Sequence, residues 1–316
     1  MAEISPIKYS SELQKQLFPD NSFYKKSISE SGIADTTERV ERPVQGDIGK
    51  GKSGVPNSLP LQVNVAKDDA DYYSTDLVYA PPILVDTPGE FALNYNKRAS
   101  KQIQQAGIIN TRVATIAAIN WGPTNAAQVL KTTGASRSSN VIVTATGAAI
   151  ANRKTVAKDD LLKLHNLLMR MNLSGIQGGL FGLVTADFYS DLLKIAEFVD
   201  YDKTGNTSKL EAGIIGRIMG IDIMVRATDD QSTGLLYSNA YAKKVIDAEV
   251  ITTDCPANLF WHDKMVASAE GTLKTSINPD RSEYLGSTII SSWVRFGASW
   301  ARKDQKGVVV LLEENA

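Results

Sequence analysis

The sequence predicts an α+β protein, and three observations predict it: one long amphipathic helix, an extended Pro- and Gly-rich excursion before it, and short strands alternating with helices after it. The helix is read over residues 89–119, where Tyr95, Ala99, Ile103, Ala106, Ile109, Val113 and Ile116 recur at steps of three and four. Lys97, Arg98, Lys101, Gln104, Gln105 and Arg112 lie mostly off that stripe. Asp86, Thr87 and Pro88 supply start chemistry, and Gly122 with Pro123 stops the helix. Gly107 is its weak point, where a bend is expected. Taken alone, the stretch also suits a core helix of an ordinary α/β protein or a dimerisation helix.

Before the helix the chain changes character twice. Residues 1–34 are polar with scattered apolar anchors, Leu13, Leu17, Phe18, Phe23 and Tyr24, which suits a docking arm or a segment packed internally. Residues 35–85 carry Pro43, Pro56, Pro60, Pro81 and Pro82, with Gly46, Gly49, Gly51 and Gly54 between two extended candidates, Thr36–Val44 and Leu59–Ala66. A third candidate runs from Tyr72 to Val85, and Asp68, Asp69 and Asp71 read as a solvated turn. The first two candidates hold few residues able to build a core, so a long β excursion with a flexible tip is expected.

After Pro123 the chain is compactly α/β. Strands are expected at Asn140–Thr144, Leu180–Thr185, Ile221–Ala227, Tyr284–Trp300 and Val308–Leu312. Helices are expected at Lys158–Leu173, with Leu161, Leu164, Leu168 and Met171 as stripe, at Phe188–Phe198 capped by Asp187, and at Leu210–Met219. Leu259–Ala269 fits either state. A polar turn at Lys303–Gly307 joins the last two strands.

Composition excludes several classes. The 316 residues carry a net charge of −1 and are 43% hydrophobic, so a real core is available and a dedicated nucleic-acid binder is not indicated. No apolar run approaches the roughly 18 residues of a membrane span, and the start has no apolar signal core. A single cysteine, Cys255, is compatible with a reducing cytoplasm, where the protein is expected to fold.

Two loops imitate ligand sites. Gly46 to Ser53 matches the Walker A letters, but Pro43 precedes it, and Gly54, Pro56 and Pro60 deny it the helix whose amides would hold phosphates. Asp200 to Glu211 follows an EF-hand loop, with Gly205 at its sixth position; Thr204 and Thr207 depart from the pattern and no second hand exists. His165 and His262 are the only histidines, and neither belongs to a Cys/His cluster or a hydrolase set. No catalytic residue, metal ligand or cofactor is therefore assigned, and no enzyme is expected.

The order of arm, β excursion, long helix and compact α/β region resembles the major capsid proteins of tailed bacteriophages, with the Hong Kong-97-type fold. Leu259-Phe-Trp-His-Asp-Lys-Met-Val-Ala267 is similar to that family's F-H-K-x-A segment, with Trp261 inserted, and Arg295 to Asp304 is similar to its Y-G-x-x-V-x-R-x-D strand. Leu183 to Tyr189 resembles its strand-then-helix segment, and Ile215 to Val225 its short helix running into G-x-x-V.

The resemblance implies an N-terminal arm (1–34), an E-loop (35–85), a peripheral domain (86–140) with spine helix 89–119, a mainly axial domain (141–257) and strands returning to the peripheral domain (258–316). It further implies pentamers and hexamers that close into an icosahedral capsid around double-stranded DNA, made in the host bacterial cytoplasm. Partners would be other copies of the chain, a separate scaffolding protein, a portal and decoration proteins, without sequence-specific DNA contacts or a membrane. Gly46, Gly49, Lys50, Gly51, Lys52 and Gly54 would form the E-loop tip that touches a neighbouring subunit. The alternatives are an encapsulin-like shell and, from another class, a calcium-binding module using residues 200–211.

Overall fold

The computed structural model describes residues 18–34, 37–45, 68–85, 97–138, 142–143, 148–149, 152–173, 176–195, 216–226, 233–281 and 287–316. Helices are α1 (Ser31–Ala34), α2 (Lys97–Trp121), α3 (Lys158–Arg170) and α4 (Ala186–Leu192). In chain order the strands are β1 (Ile28–Ser29), β2 (Arg39–Val44), β3 (Asp69–Ser74), β4 (Asp76–Tyr79), β5 (Ile83–Val85), β6 (Val129–Lys131), β7 (Ser136–Arg137), β8 (Ile142–Val143), β9 (Ala148–Ala149), β10 (Arg153–Lys154), β11 (Leu180–Val184), β12 (Gly216–Ile218), β13 (Ile221–Val225), β14 (Leu236–Tyr237), β15 (Cys255–His262), β16 (Val266–Glu270), β17 (Lys274–Arg281), β18 (Ser287–Trp300) and β19 (Val308–Leu312).

Two large sheets carry the architecture. The first is built on β18, whose 14 residues alternate buried Ile290, Ser292, Val294 and Phe296 with half-exposed Ser291, Trp293 and Arg295. That alternation marks a sheet covered on one face. Antiparallel β16 and β17 follow each other along one edge of β18, and β4 and β5 along the other.

The second sheet runs β12-β13-β11-β15-β19-β6, with β14 on the end of β15. Here β15 and β19 are buried at every residue, because both faces are covered. Ala257, Leu259, Trp261, Val308, Val310 and Leu312 join one core with α2. Phe260, Val309 and Leu311 join the other with α3 and α4. The Trp261 ring lies 5.5 Å from that of Trp121, while Phe260 lies 6.4 Å from Phe188 on the opposite side. The inserted tryptophan is thus one step of a period-2 strand that feeds two cores in turn.

Helix α2 extends two residues beyond its expected end, to Trp121, and residues 86–96 lie outside the described region. Its buried line is Gln105, Ile109, Val113, Ala117 and Trp121, one step of four at a time. Ile103, expected in the stripe, is 66% exposed. A glutamine takes the core position instead because its amide is satisfied there: Nε2 donates to the Pro81 and Ile290 carbonyls at 3.0 and 3.1 Å, and Oε1 accepts from Ser292 at 2.8 Å. The helix runs unbroken through Gly107, where a side chain would overlap the Phe18 ring, so that glycine serves close approach of the arm.

Other expectations change with tertiary context. Helix α4 begins at Ala186 and its cap is Thr185, whose hydroxyl accepts from the Phe188 amide at 3.1 Å; Asp187 instead pairs with Arg137. Residues 216–218, expected as the end of a helix, form β12, held by antiparallel pairing with β13. Asp69 and Asp71 belong to β3 and face Lys303, rather than forming a turn. The stretch Leu259–Ala269 resolves into two strands, and β17 was not foreseen. The strand expected at Asn140–Thr144 is described only at β8, paired with β9.

Candidate assembly surfaces

The excursion begins as a two-stranded hairpin. β2 and β3 pair in register from Arg39 opposite Ser74 to Val44 opposite Asp69, so the chain leaves β2 and enters β3 side by side. Its base is fastened to the first sheet. Arg42 forks onto Glu30 at 2.7 and 3.0 Å and donates a third bond to the Trp300 carbonyl at 2.7 Å. The Tyr73 hydroxyl donates to the same Glu30 carboxylate at 2.7 Å, and its ring lies 4.7 Å beneath the Arg42 guanidinium. Burial first, and then the Glu30 carboxylate, raise the Tyr73 phenol above its ordinary pKa, so it stays a donor. Val40 and Tyr73 bury with Ala34 and Ala269 in a small core of their own, more than the sequence promised. Gly297 lets the hairpin approach: a side chain there would meet the Ser74 carbonyl at 2.8 Å.

The described part of the arm, residues 18–34, is packed into the subunit. Phe23 packs edge-on against Trp121 and Trp261, each at 6.1 Å, and the Trp261 indole donates to the Lys26 carbonyl at 2.8 Å. Buried Arg226, at the end of β13, donates to Asn21 Oδ1 at 3.2 Å, the Thr233 carbonyl at 2.6 Å, and the Thr111 carbonyl and Thr115 Oγ1 of α2 at 3.1 Å each. One guanidinium thus ties arm, long helix and second sheet together. Sequence reasoning missed Glu30, Arg42, Tyr73 and Arg226, since their partners are remote in sequence and no local pattern signals them.

Residues Gly46, Gly49, Lys50, Gly51, Lys52 and Gly54, the Walker-like stretch and the EF-hand-like stretch at 200–211 all lie outside the described residues. His165 is half-buried on α3. His262 is buried at the end of β15; its Nδ1 accepts from the Lys264 amide at 3.2 Å, and burial lowers its pKa. Among the described residues no group of three or more His, Cys, Asp or Glu is placed to hold a metal, and no helix is long and apolar enough to cross a membrane. One buried charge cluster is structural: Arg137 bonds Asp187 at 3.1 Å, Asp191 at 2.9 Å and buried Glu313, clamping α4 to the second sheet. Glu313 also accepts from Thr185 at 2.6 Å and Asn258 at 3.2 Å.

A hairpin fastened to two packed sheets by buried charge and aromatic contacts is the local framework the described residues supply. A family model described as phage capsid protein matches residues 93–314, and the chain belongs to that family. Solved structures similar to it over nearly the whole chain share the fold. One is from Mycobacterium phage Che8 (15% identity, 99% of each chain covered, TM-score 0.61). Another is the mature capsid of bacteriophage PhiM1 (16% identity, 98% and 92% covered, TM-score 0.64). A third is the capsid of Ralstonia phage GP4 (13% identity, 99% and 96% covered, TM-score 0.61). No curated protein sequence matches the chain. Its role is structural and not enzymatic: it forms capsid oligomers with its own copies, in the virion capsid.

Proposed function

We propose that copies of this chain assemble as pentamers and hexamers into an icosahedral shell around a double-stranded DNA genome, in the host bacterial cytoplasm. The first sheet with α2 acts as the peripheral domain and the second sheet with α3 and α4 as the axial domain, which moves β6, β19 and most of β15 out of the peripheral bounds (86–140 and 258–316) that the resemblance implies. A separate scaffolding protein, a portal and decoration proteins complete the particle. Gly46, Gly49, Lys50, Gly51, Lys52 and Gly54 form the E-loop tip and lie over an adjacent subunit, where Lys50 and Lys52 meet acidic groups.

The observation that carries this reading is the Glu30–Arg42–Tyr73 anchor. A hairpin fixed so firmly at its base transmits force from whatever its far end touches. Ion pairs at the tip are individually worth about 0–1 kcal/mol when exposed, but every copy repeats them. Replacing residues 46–54 by a short Gly-Ser turn should leave far-UV circular dichroism nearly unchanged while electron microscopy shows few or fragile shells, more so at high salt. Wild-type shell yield and stability would sink the assignment; an unfolded subunit would place the stretch in the core.

A further inference from the structure

A groove opens where α2, β4 and residues 243–246 meet without closing on one another. Ile108, Ile116 and Ile119 of α2 lie along it, with Leu77 and Tyr79 of β4 on one side and Val245 on the other. β18 takes one edge of β4, and no described strand takes the other. Leu77, Tyr79 and Val245 are exposed, so apolar surface lines the mouth as well as the floor. The groove holds about 750 Å³, within the roughly 300–1,000 Å³ of small-molecule sites. From Ile108 to Asn120 it follows α2 for about 18 Å, at 1.5 Å per residue.

One buried charge in the lining is left without a counter-ion. Arg112 pairs with Asp247, and Lys244 with Asp254. Lys243 has no carboxylate partner among the described residues: its Nζ donates to the Gly122 carbonyl at 2.8 Å, just past the end of α2, and lies 5.0 Å from the centre of the Trp300 ring. Burial pushes its pKa down to about 8. Asp76 also lines the groove, but it is exposed, where water and salt screen it, and it forms no ion pair with Lys243. We propose that the groove binds a straight-chain fatty carboxylate, with the alkyl chain along the isoleucines of α2 and the carboxylate against Lys243 Nζ. An extended dodecanoate nearly spans the groove. The site belongs to the single subunit and does not depend on the shell contacts.

Calorimetric titration of the unassembled full-chain subunit with dodecanoate tests it, with dodecyltrimethylammonium as the probe of equal chain and opposite charge. One saturable site should prefer dodecanoate by about tenfold or more, the worth of one charge-assisted bond. Decanoate should bind about fifteenfold more weakly, about fourfold for each methylene lost from the groove. Lys243→Met should abolish the headgroup preference and keep the dependence on chain length, while Asp76→Asn should change neither. Ile116→Trp should block both probes; if it impairs folding, Val245→Trp at the exposed mouth should do the same. Equal affinity for the two headgroups, or a Lys243→Met subunit that binds as the parent does, would overturn the proposal. So would the absence of a saturable site, the result expected if another stretch of the chain or a second copy fills the groove.

Discussion

Replacing Arg226 by methionine is the sharpest test of how the subunit is held together. The guanidinium is fully buried and makes four hydrogen bonds to described residues. Its loss is felt unevenly. Asn21 is only half-buried and can turn to water, and the Thr111 carbonyl keeps a bond from Thr115 Oγ1 at 2.9 Å. The Thr233 carbonyl, on a buried residue, loses its charged donor. That orphaned acceptor costs about 1–3 kcal/mol, and the remaining charge-assisted bonds add about 1.5–3 kcal/mol each before the gain from no longer desolvating a cation. The net expectation is a loss of about 3 kcal/mol. Urea unfolding of the unassembled subunit, followed by tryptophan fluorescence, measures it, since Trp121 and Trp261 sit beside the arm. Arg226→Lys should recover less than half, because an ammonium cannot fork to Thr233 and α2 together. If Arg226→Met unfolds within about 0.5 kcal/mol of the parent at unchanged m, the bonds named here do not hold the three elements together.

Further expectations follow from single contacts. Gly107→Ala, which in an exposed helix would stabilise by about 0.8–1 kcal/mol, should here destabilise or expel Phe18; proteolysis near residue 18 reads the release. Trp261→Phe removes the indole bond to the Lys26 carbonyl, at a cost of about 1–2 kcal/mol, and should speed amide exchange across residues 23–29. His262 has a pKa lowered by burial, so the folded state binds fewer protons than the unfolded one. Its stabilisation is complete above the unfolded value of about 6.5 and is lost as pH falls below it. His262→Gln should therefore flatten the decline in stability just below pH 6.5, and an unchanged pH profile would remove His262 as its cause.

Local sequence determined those elements whose signal is local. The stripe Leu161, Leu164, Leu168 reports α3, with Asp159 and Asp160 in its first turn. The unbroken run Val308–Leu312 reports a strand buried on both faces, and the alternation along β18 reports one with a single dry face. The capsid resemblance rests on the same local motifs, read in order. Tertiary structure decided what depends on a remote partner. Gln105 rather than Ile103 enters the core because Pro81, Ile290 and Ser292 satisfy its amide, and only folding brings them there. Residues 216–218 are extended because β13 pairs with them. The hairpin is anchored because Glu30 meets Arg42 and Tyr73 across 12 and 43 residues of chain. Periodicity records which residues prefer to leave water; it carries no information on which buried polar group will find its partner, because that bond forms only once distant segments are adjacent.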